Sequence, residues 1–230
     1  MTPLPQPMRE LFIKLRNGVL DFLFPPRCVH CRAEGAFLCL PCLRGLKVSP
    51  SLLHHPPAPT ALSGLMYVFK YRANPALKAA IYQFKYRFNT EMATLFAALL
   101  LKKITRSSFF TSSSPILIPV PLHRRRLAWR GFNQAEALSC ALQRLAGIPV
   151  IHGLQRVKAT EQQAMLSRSQ RLKNLKNSFI VLPALLSLSR DTSLFLVDDV
   201  YTTGTTLNEC ARALRKTGFK NVHGLVIAKT

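Results

Sequence analysis

The sequence predicts an α/β fold, a mostly parallel sheet flanked by helices, with a small N-terminal four-cysteine module in front of it. Three observations carry this. Short apolar runs at residues 116–120, 194–197 and 222–228 alternate with stretches of helical periodicity. Two C-x2-C pairs stand close together near the N-terminus. Two adjacent acids, Asp198 and Asp199, join one apolar run to a Thr- and Gly-rich turn that opens a helix.

Composition bounds what such a chain does. Of 230 residues, 48% are hydrophobic, enough for a real core in one large domain or one domain with an appendage. Lys and Arg number 32 against 10 Asp and Glu, a formal charge of +22. No acidic residue lies between Glu34 and Glu91, nor between Glu91 and Glu136. A field of that sign attracts polyanions: nucleic acid, anionic lipid or phosphorylated small molecules. No apolar run reaches the roughly 18–20 residues of a membrane span, so no transmembrane segment is expected. The opening residues lack the apolar stretch of a secretory signal, and a cytoplasmic protein is the expectation.

Residues 8–24 carry Leu11, Phe12, Leu15, Val19, Phe22 and Leu23 at helical spacing, a stripe weakened by Gly18. It suits packing onto the body of the protein, or lying on the inner face of a membrane. Pro25 and Pro26 end it. Cys28-x2-Cys31 follows and, after seven residues, Cys39-x2-Cys42. Without a signal peptide, paired C-x2-C units favour a metal over disulfides. Two thiolates on one tight turn face one ion, and two such turns complete a sulfur tetrahedron, which suits Zn²⁺. Four thiolates leave no open position, so this zinc is structural; reduced core cysteines and a redox dithiol are the rival readings. Cys140 and Cys210 fall among Leu and Ala at helical spacing and read as core.

Residues 49–60, rich in Pro and holding His54 and His55 as loop residues, read as a linker. The expected domains are therefore 1–50 and 61–230. A strand is expected at 62–71, helices at 75–86 and 91–104, and a Ser-rich loop at 106–115. After the 116–120 strand, residues 133–145 form a helix, capped by Asn133 with Glu136 three residues on and stopped by Gly147. Residues 161–178 are polar and basic. Strand 194–197, helix 205–217 and strand 222–228 complete the chain, with Thr206 and Glu209 as a capping box.

In a parallel sheet, ligands bind beyond the carboxyl ends of the strands. There Asp198 and Asp199 follow the 194–197 strand and precede Val200, Tyr201, Thr202, Thr203, Gly204, Thr205 and Thr206. The first turn of the next helix exposes N–H groups, and its dipole favours an anion. Gly204 permits a tight turn and close approach by a phosphate. Carboxylates beside a phosphate repel it unless they serve another purpose. Hydrogen bonding to sugar hydroxyls, with a Mg²⁺, resolves that conflict. An ordinary strand–turn–helix is the plain alternative. A second cluster, Arg124, Arg125, Arg126 and Arg130, follows the 116–120 strand as a loop at the same sheet edge. Four guanidinium groups suit a highly charged leaving group or a nucleic-acid backbone. Trp129 and Phe132, interleaved with them, suit base stacking or burial.

FLVDDVYTTGTT at 195–206 resembles the phosphoribosyl-pyrophosphate motif of type I phosphoribosyltransferases. The resemblance implies that Asp198 and Asp199 are the catalytic pair on the ribose hydroxyls. It implies that Val200 to Thr206 bind phosphoribosyl pyrophosphate, accompanied by Mg²⁺. Pro119-Val120-Pro121-Leu122 and Arg130-Gly131-Phe132-Asn133-Gln134-Ala135 are similar to the PVPL…RGFNQA signature of the ComF/GntX family. Thr160 to Gln163, Leu166, Ser167, Arg171, Asn174 and Phe179 follow further spacing of that family, and the four-cysteine knuckle belongs to the same pattern. The family implies a type I phosphoribosyltransferase fold, a zinc-binding N-terminus and pyrophosphate contact by the segment holding Pro119 to Gln134. It also implies a role in natural competence, where members are associated with taking single-stranded DNA into the cytoplasm; a DNA-uptake helicase is the protein partner that fits. Three functions stay open: a DNA-uptake component with a sugar-phosphate sensor, an active transferase releasing pyrophosphate onto a nucleobase or related acceptor, and a zinc-module adaptor with a vestigial site. No base-recognition pocket is legible, and a fold alone does not establish catalysis.

Overall fold

A computed structural model describes residues 25–49, 53–56, 59–86, 90–107, 110, 114–158 and 177–230. The stripe at 8–24 and the family spacing at 160–174 lie outside the described residues. The elements are α1 (Leu40–Arg44), β1 (Leu53–His54), β2 (Gly64–Lys70), α2 (Pro75–Tyr86), α3 (Thr90–Ile104), β3 (Ile116–Pro119) and α4 (Arg124–Arg130). Then come α5 (Gln134–Ala146), β4 (Leu154–Arg156), β5 (Phe179–Val181), a 3-10 turn (Pro183–Leu185), β6 (Ser193–Tyr201), α6 (Thr205–Lys216) and β7 (Asn221–Lys229). Among the described residues no helix is long and apolar enough to cross a membrane.

One sheet runs β1-β2-β7-β6-β3, and β4 with β5 form a separate antiparallel pair. β2, β7, β6 and β3 are parallel, and only edge strand β1 is antiparallel. The central strands are buried on both faces, which is why they read as unbroken apolar runs rather than alternating ones. Alternation instead sorts their side chains between two cores. Met66, Val68, Phe195, Val197, Leu225 and Ile227 face α2, α3, α5 and the cysteine module. Leu65, Tyr67, Leu194, Leu196 and Val226 face α6, which meets them with Leu207, Cys210, Ala211 and Leu214 at helical spacing. Cys210 is thus a core residue, as expected.

Part of the expected linker is sheet. Leu53 and His54 pair with Met66 and Leu65, and His54 stacks on Tyr67 at 4.3 Å rather than sitting in a loop. The aromatic face offered by β2 gives a histidine there a partner. The cysteine module is tied to the same strand: Ser49 N donates to Val68 O at 2.7 Å, and Asn74 clamps Lys47. Asn74 Oδ1 accepts from Lys47 N at 2.6 Å, while its Nδ2 donates to Lys47 O at 2.9 Å and Lys70 O at 3.0 Å. Asn74 is buried, so its loss leaves backbone groups unsatisfied. Asn74→Ala is expected to cost about 1–3 kcal/mol, read as a lower urea midpoint at unchanged slope. An unchanged midpoint would show that the clamp contributes nothing.

Three local expectations need correction. The strand at 194–197 continues through Tyr201, because β7 is long enough to pair Asp198 with Val226 and Tyr201 with Lys229; the acids therefore lie on the strand, not after it. The Thr206–Glu209 capping box does not form. Gly204 stands at the cap with φ 76°, and Glu209 is buried, accepting from Asn177 N at 3.3 Å and pairing with Arg212 at 3.4 Å. The arginine segment is not a loop but helix α4. Arg, Leu and Ala are strong helix formers, His123 caps the start, and Gly131 at φ 79° ends it.

Candidate functional site

The four knuckle cysteines converge. The sulfurs of Cys28, Cys31, Cys39 and Cys42 lie within 4.8 Å of one another, with Cys31 and Cys39 3.4 Å apart. Cys28 and Cys31 sit on a turn closed by Arg32 N donating to Cys28 O at 2.9 Å; Cys39 caps α1 and Cys42 lies within it. A Zn–S length of about 2.3 Å puts tetrahedral sulfurs about 3.8 Å apart, so the spacing fits zinc. The acid–base chemistry fits as well. Burial works against a Cys28 thiolate, yet the backbone N–H groups of Cys39, Cys31 and His30 outweigh it and hold its pKa down to about 6. Cys42 is pushed up to about 12, first by burial and then by the neighbouring thiols. One thiolate is ready, and the full set needs a cation among them. His30 is exposed and outside the set.

At the carboxyl end of β6, Asp198 and Asp199 point to opposite faces, as successive strand residues must. Asp199 is buried against α2, where Lys85 Nζ stands 3.2 Å from Oδ2. Asp198 Oδ1 accepts from Asp199 N at 2.8 Å. Burial, and next the Asp199 charge, push the Asp198 carboxyl up to about 7, against the pull of the Asp199 N–H, Lys85 and Arg130. Burial opposes the Lys85 charge too, but the carboxylates of Asp199 and Asp198 outweigh it and raise its pKa. The pair is short of positive charge, a setting that suits a divalent cation or sugar hydroxyls.

Beyond Tyr201 the chain turns through exposed Thr202, half-buried Thr203 and buried Gly204 into α6. A Cβ at Gly204 would stand 2.1 Å from the Tyr201 hydroxyl, so the positive φ and the ring above both call for glycine. Thr203 and Thr205 hydroxyls lie 2.9 Å apart, and the first N–H groups of α6 have no intrahelical acceptor. Val200 and Thr206 are half-buried beside this turn. Acid pair, hydroxyl turn and helix N-terminus thus occupy one edge of the sheet.

α4 lies at the same edge. Burial, then repulsion from Arg130, lowers the Arg126 pKa, while Asp198 and Asp199 counteract. Arg130 Nη1 donates to Gln134 Oε1 at 2.7 Å, and Gln134 Nε2 donates to Lys85 O at 3.1 Å. Asn133 Oδ1 accepts from Ala135 N at 3.1 Å to cap α5, while its Nδ2 donates to Val120 O at 3.0 Å. Pro119, Val120 and Gln134 are buried and Pro121 half-buried, so they frame this edge rather than reach from it. Arg124 and Arg125 are exposed. Of the two interleaved aromatics, Phe132 is buried edge-on to Phe84 at 6.3 Å, whereas Trp129 is 71% exposed.

Sequence reasoning missed Lys85, Tyr82, Tyr86 and Arg156. A signal for Lys85 existed. Leu77, Ile81 and Lys85 recur at four-residue spacing, which puts a cation on the core face of α2. A lysine there needs an acid, and the chain has ten. Arg156, buried on β4 with its guanidinium 5.7 Å from the Phe179 ring, had no comparable cue.

Residues 131–230 match the phosphoribosyl transferase domain model. Over 207 residues the chain is 34% identical to Competence protein F of Haemophilus influenzae, covering 86% of this chain and 82% of the relative. It is 32% identical over 207 residues to the DNA utilization protein YhgH of Salmonella typhimurium, covering 88% and 84%. Competence protein ComFC of Bacillus subtilis is 33% identical over 114 residues, 50% of this chain and 44% of the relative. The expected family is thereby borne out, together with its phosphoribosyltransferase-type α/β domain: the chain belongs to the Competence protein F, ComFC and YhgH family.

Proposed function

We propose that this protein acts in natural competence, handling single-stranded DNA in the cytoplasm and binding phosphoribosyl pyrophosphate with Mg²⁺ at Asp198 to Thr206. The observation that supports it most is the acid pair, Asp199 buried and Asp198 half-buried, beside the hydroxyl turn, a chain of donors and acceptors in the order that a ribose 5-phosphate needs. Asp198 and Asp199 accept from the sugar hydroxyls, and the turn and the first N–H groups of α6 donate to the phosphate. Mg²⁺ supplies charge that neutralises the carboxylates and the pyrophosphate. Arg126 and Arg130 face the same edge and suit the pyrophosphate, while exposed Arg124 and Arg125 suit a nucleic-acid backbone. The stripe at 8–24 suits contact with a DNA-uptake helicase or the inner face of the membrane.

A second reading, an active transferase, draws on the Asp198 carboxyl, which titrates near neutrality. As the C1′–oxygen bond to pyrophosphate breaks and a C1′–nitrogen bond forms, Asp198 takes the proton that the acceptor nitrogen releases. Pyrophosphate release over a panel of nucleobases separates this reading from simple binding.

Calorimetric titration with Mg²⁺ and phosphoribosyl pyrophosphate tests the main reading. Asp198 is protonated below about 7, and ligand needs the carboxylate, so affinity rises as pH climbs from 6 to 8. Asp198→Asn removes that part of the slope and leaves only the part due to the ligand's own phosphates. Stability without ligand runs the other way. Between the ordinary 3.8 and about 7 the folded chain keeps a proton that the unfolded chain has lost, so stability falls as pH rises through that window. No heat of binding at any pH, or equal slopes for parent and variant, would sink this assignment.

A further inference from the structure

We propose that Tyr82, Tyr86 and Trp129 form a stacking platform for the unpaired bases of a single-stranded nucleic acid, beside the sugar-phosphate site. This extends the DNA-handling reading above and rests on it. Among the described residues, the exposed aromatics are these three, 64%, 46% and 71% exposed, and they form one cluster. Tyr82 and Tyr86 are four residues apart on one face of α2, with ring centroids at 4.7 Å. Trp129 of α4 meets Tyr86 in a T-shaped contact at 5.8 Å and 83°, which still leaves the indole 71% exposed. The Arg130 guanidinium lies over Tyr86 at 5.5 Å.

The core does not require these rings. α2 buries Ala76, Leu77, Ala80, Ile81 and Phe84, and α4 buries none of its residues. Large rings left wet in a contiguous patch mark a binding surface. Charge selects the partner. Neither α2 nor α4 contains an acid, while the two helices carry Lys78, Lys85 and four arginines; Arg130 lies over Tyr86 and Lys85 is engaged by Asp199. Aromatic faces interleaved with cations take a single strand without regard to sequence: the rings stack bases and the cations follow the phosphates. A protein partner would find the same rings, but a patch so uniformly cationic favours a polyanion.

The platform also touches the sugar-phosphate site. Arg130, over Tyr86, holds Gln134; Gln134 holds the Lys85 carbonyl; and the Lys85 ammonium holds Asp199. A strand stacked on the platform therefore passes next to the acid pair.

Trp129 is the single tryptophan of the chain, so its emission reports on the platform alone. The experiment titrates the full chain with oligothymidylate, following Trp129 emission and, in parallel, the anisotropy of a labelled copy of the oligonucleotide. The expected result is saturable quenching that tracks the anisotropy. Tyr82→Ala weakens binding roughly 5- to 100-fold, with the salt slope unchanged because no phosphate contact is lost. Tyr82→Phe, which keeps the ring, binds like the parent, and equal melting temperatures for the two variants exclude a folding defect. Binding without quenching, or with Tyr82→Ala equal to the parent, overturns the platform and leaves DNA handling standing. An oligonucleotide that fails to bind at all overturns both.

Discussion

Cys39→Ser is expected to empty the cysteine cluster and to destabilise far more than the module alone. Zinc per chain, measured by mass spectrometry, falls from about one to near zero, because a serine hydroxyl does not ionise to complete the shell. Structural zinc supplies roughly 10–16 kcal/mol in isolated finger peptides. Here the loss reaches the core: Cys28, Leu38, Cys39 and Leu46 are buried in the cluster that holds Phe69, Phe84 and Phe96. Part of the module keeps its place through Asn74 and Ser49. A net cost of about 3–5 kcal/mol is therefore expected, a fall in Tm of about 10 °C for a chain of this size. Chelation of the parent protein converges on the same melting curve. A variant that retains zinc, or melts with the parent, contradicts a four-thiolate structural site.

The second large effect belongs to Lys85. Lys85→Met leaves the buried Asp199 carboxylate without its counter-ion. Breaking a buried pair costs about 3–5 kcal/mol, but the Lys85 side chain is 30% exposed, so about 2–3 kcal/mol is the expectation. The Asp198 carboxyl, already held near 7, loses one of the cations that pull it down. At neutral pH the pair then holds a proton more of the time, and affinity for Mg²⁺ with the sugar diphosphate falls. Asp199→Asn in the same chain removes the orphaned charge. Urea unfolding of the parent, both single variants and the double variant gives the coupling directly. If the two single costs simply add in the double variant, Lys85 and Asp199 are neighbours without a functional bond.

What was legible in the sequence follows the range of the interaction that settles it. The cysteine set is local: two spacings and a short gap bring four sulfurs together, and all four converge. The sheet was legible because β2, β6 and β7 each hold a short apolar run, at 65–69, 194–197 and 225–228. The end of β6 was not, since adjacent acids argue against a strand, and only pairing with β7 carries it to Tyr201. α4 has no buried stripe, so periodicity could not find it; propensity and its two caps make it. The Lys85–Asp199 pair joins α2 to β6 and belongs to tertiary structure alone. Hydrophobicity likewise gives Trp129 and Phe132 one label, while packing buries only the second.

The side chain of Asn133 has a further consequence. One amide fastens Val120 at the end of β3 to the first turn of α5, and the arginine helix hangs between those two points. The segment is a cassette on a closed clasp. Its tilt, and even its wording, can drift while the frame beneath keeps its shape. Substitutions within the arginine helix are therefore expected to leave the melting temperature of the domain nearly unchanged.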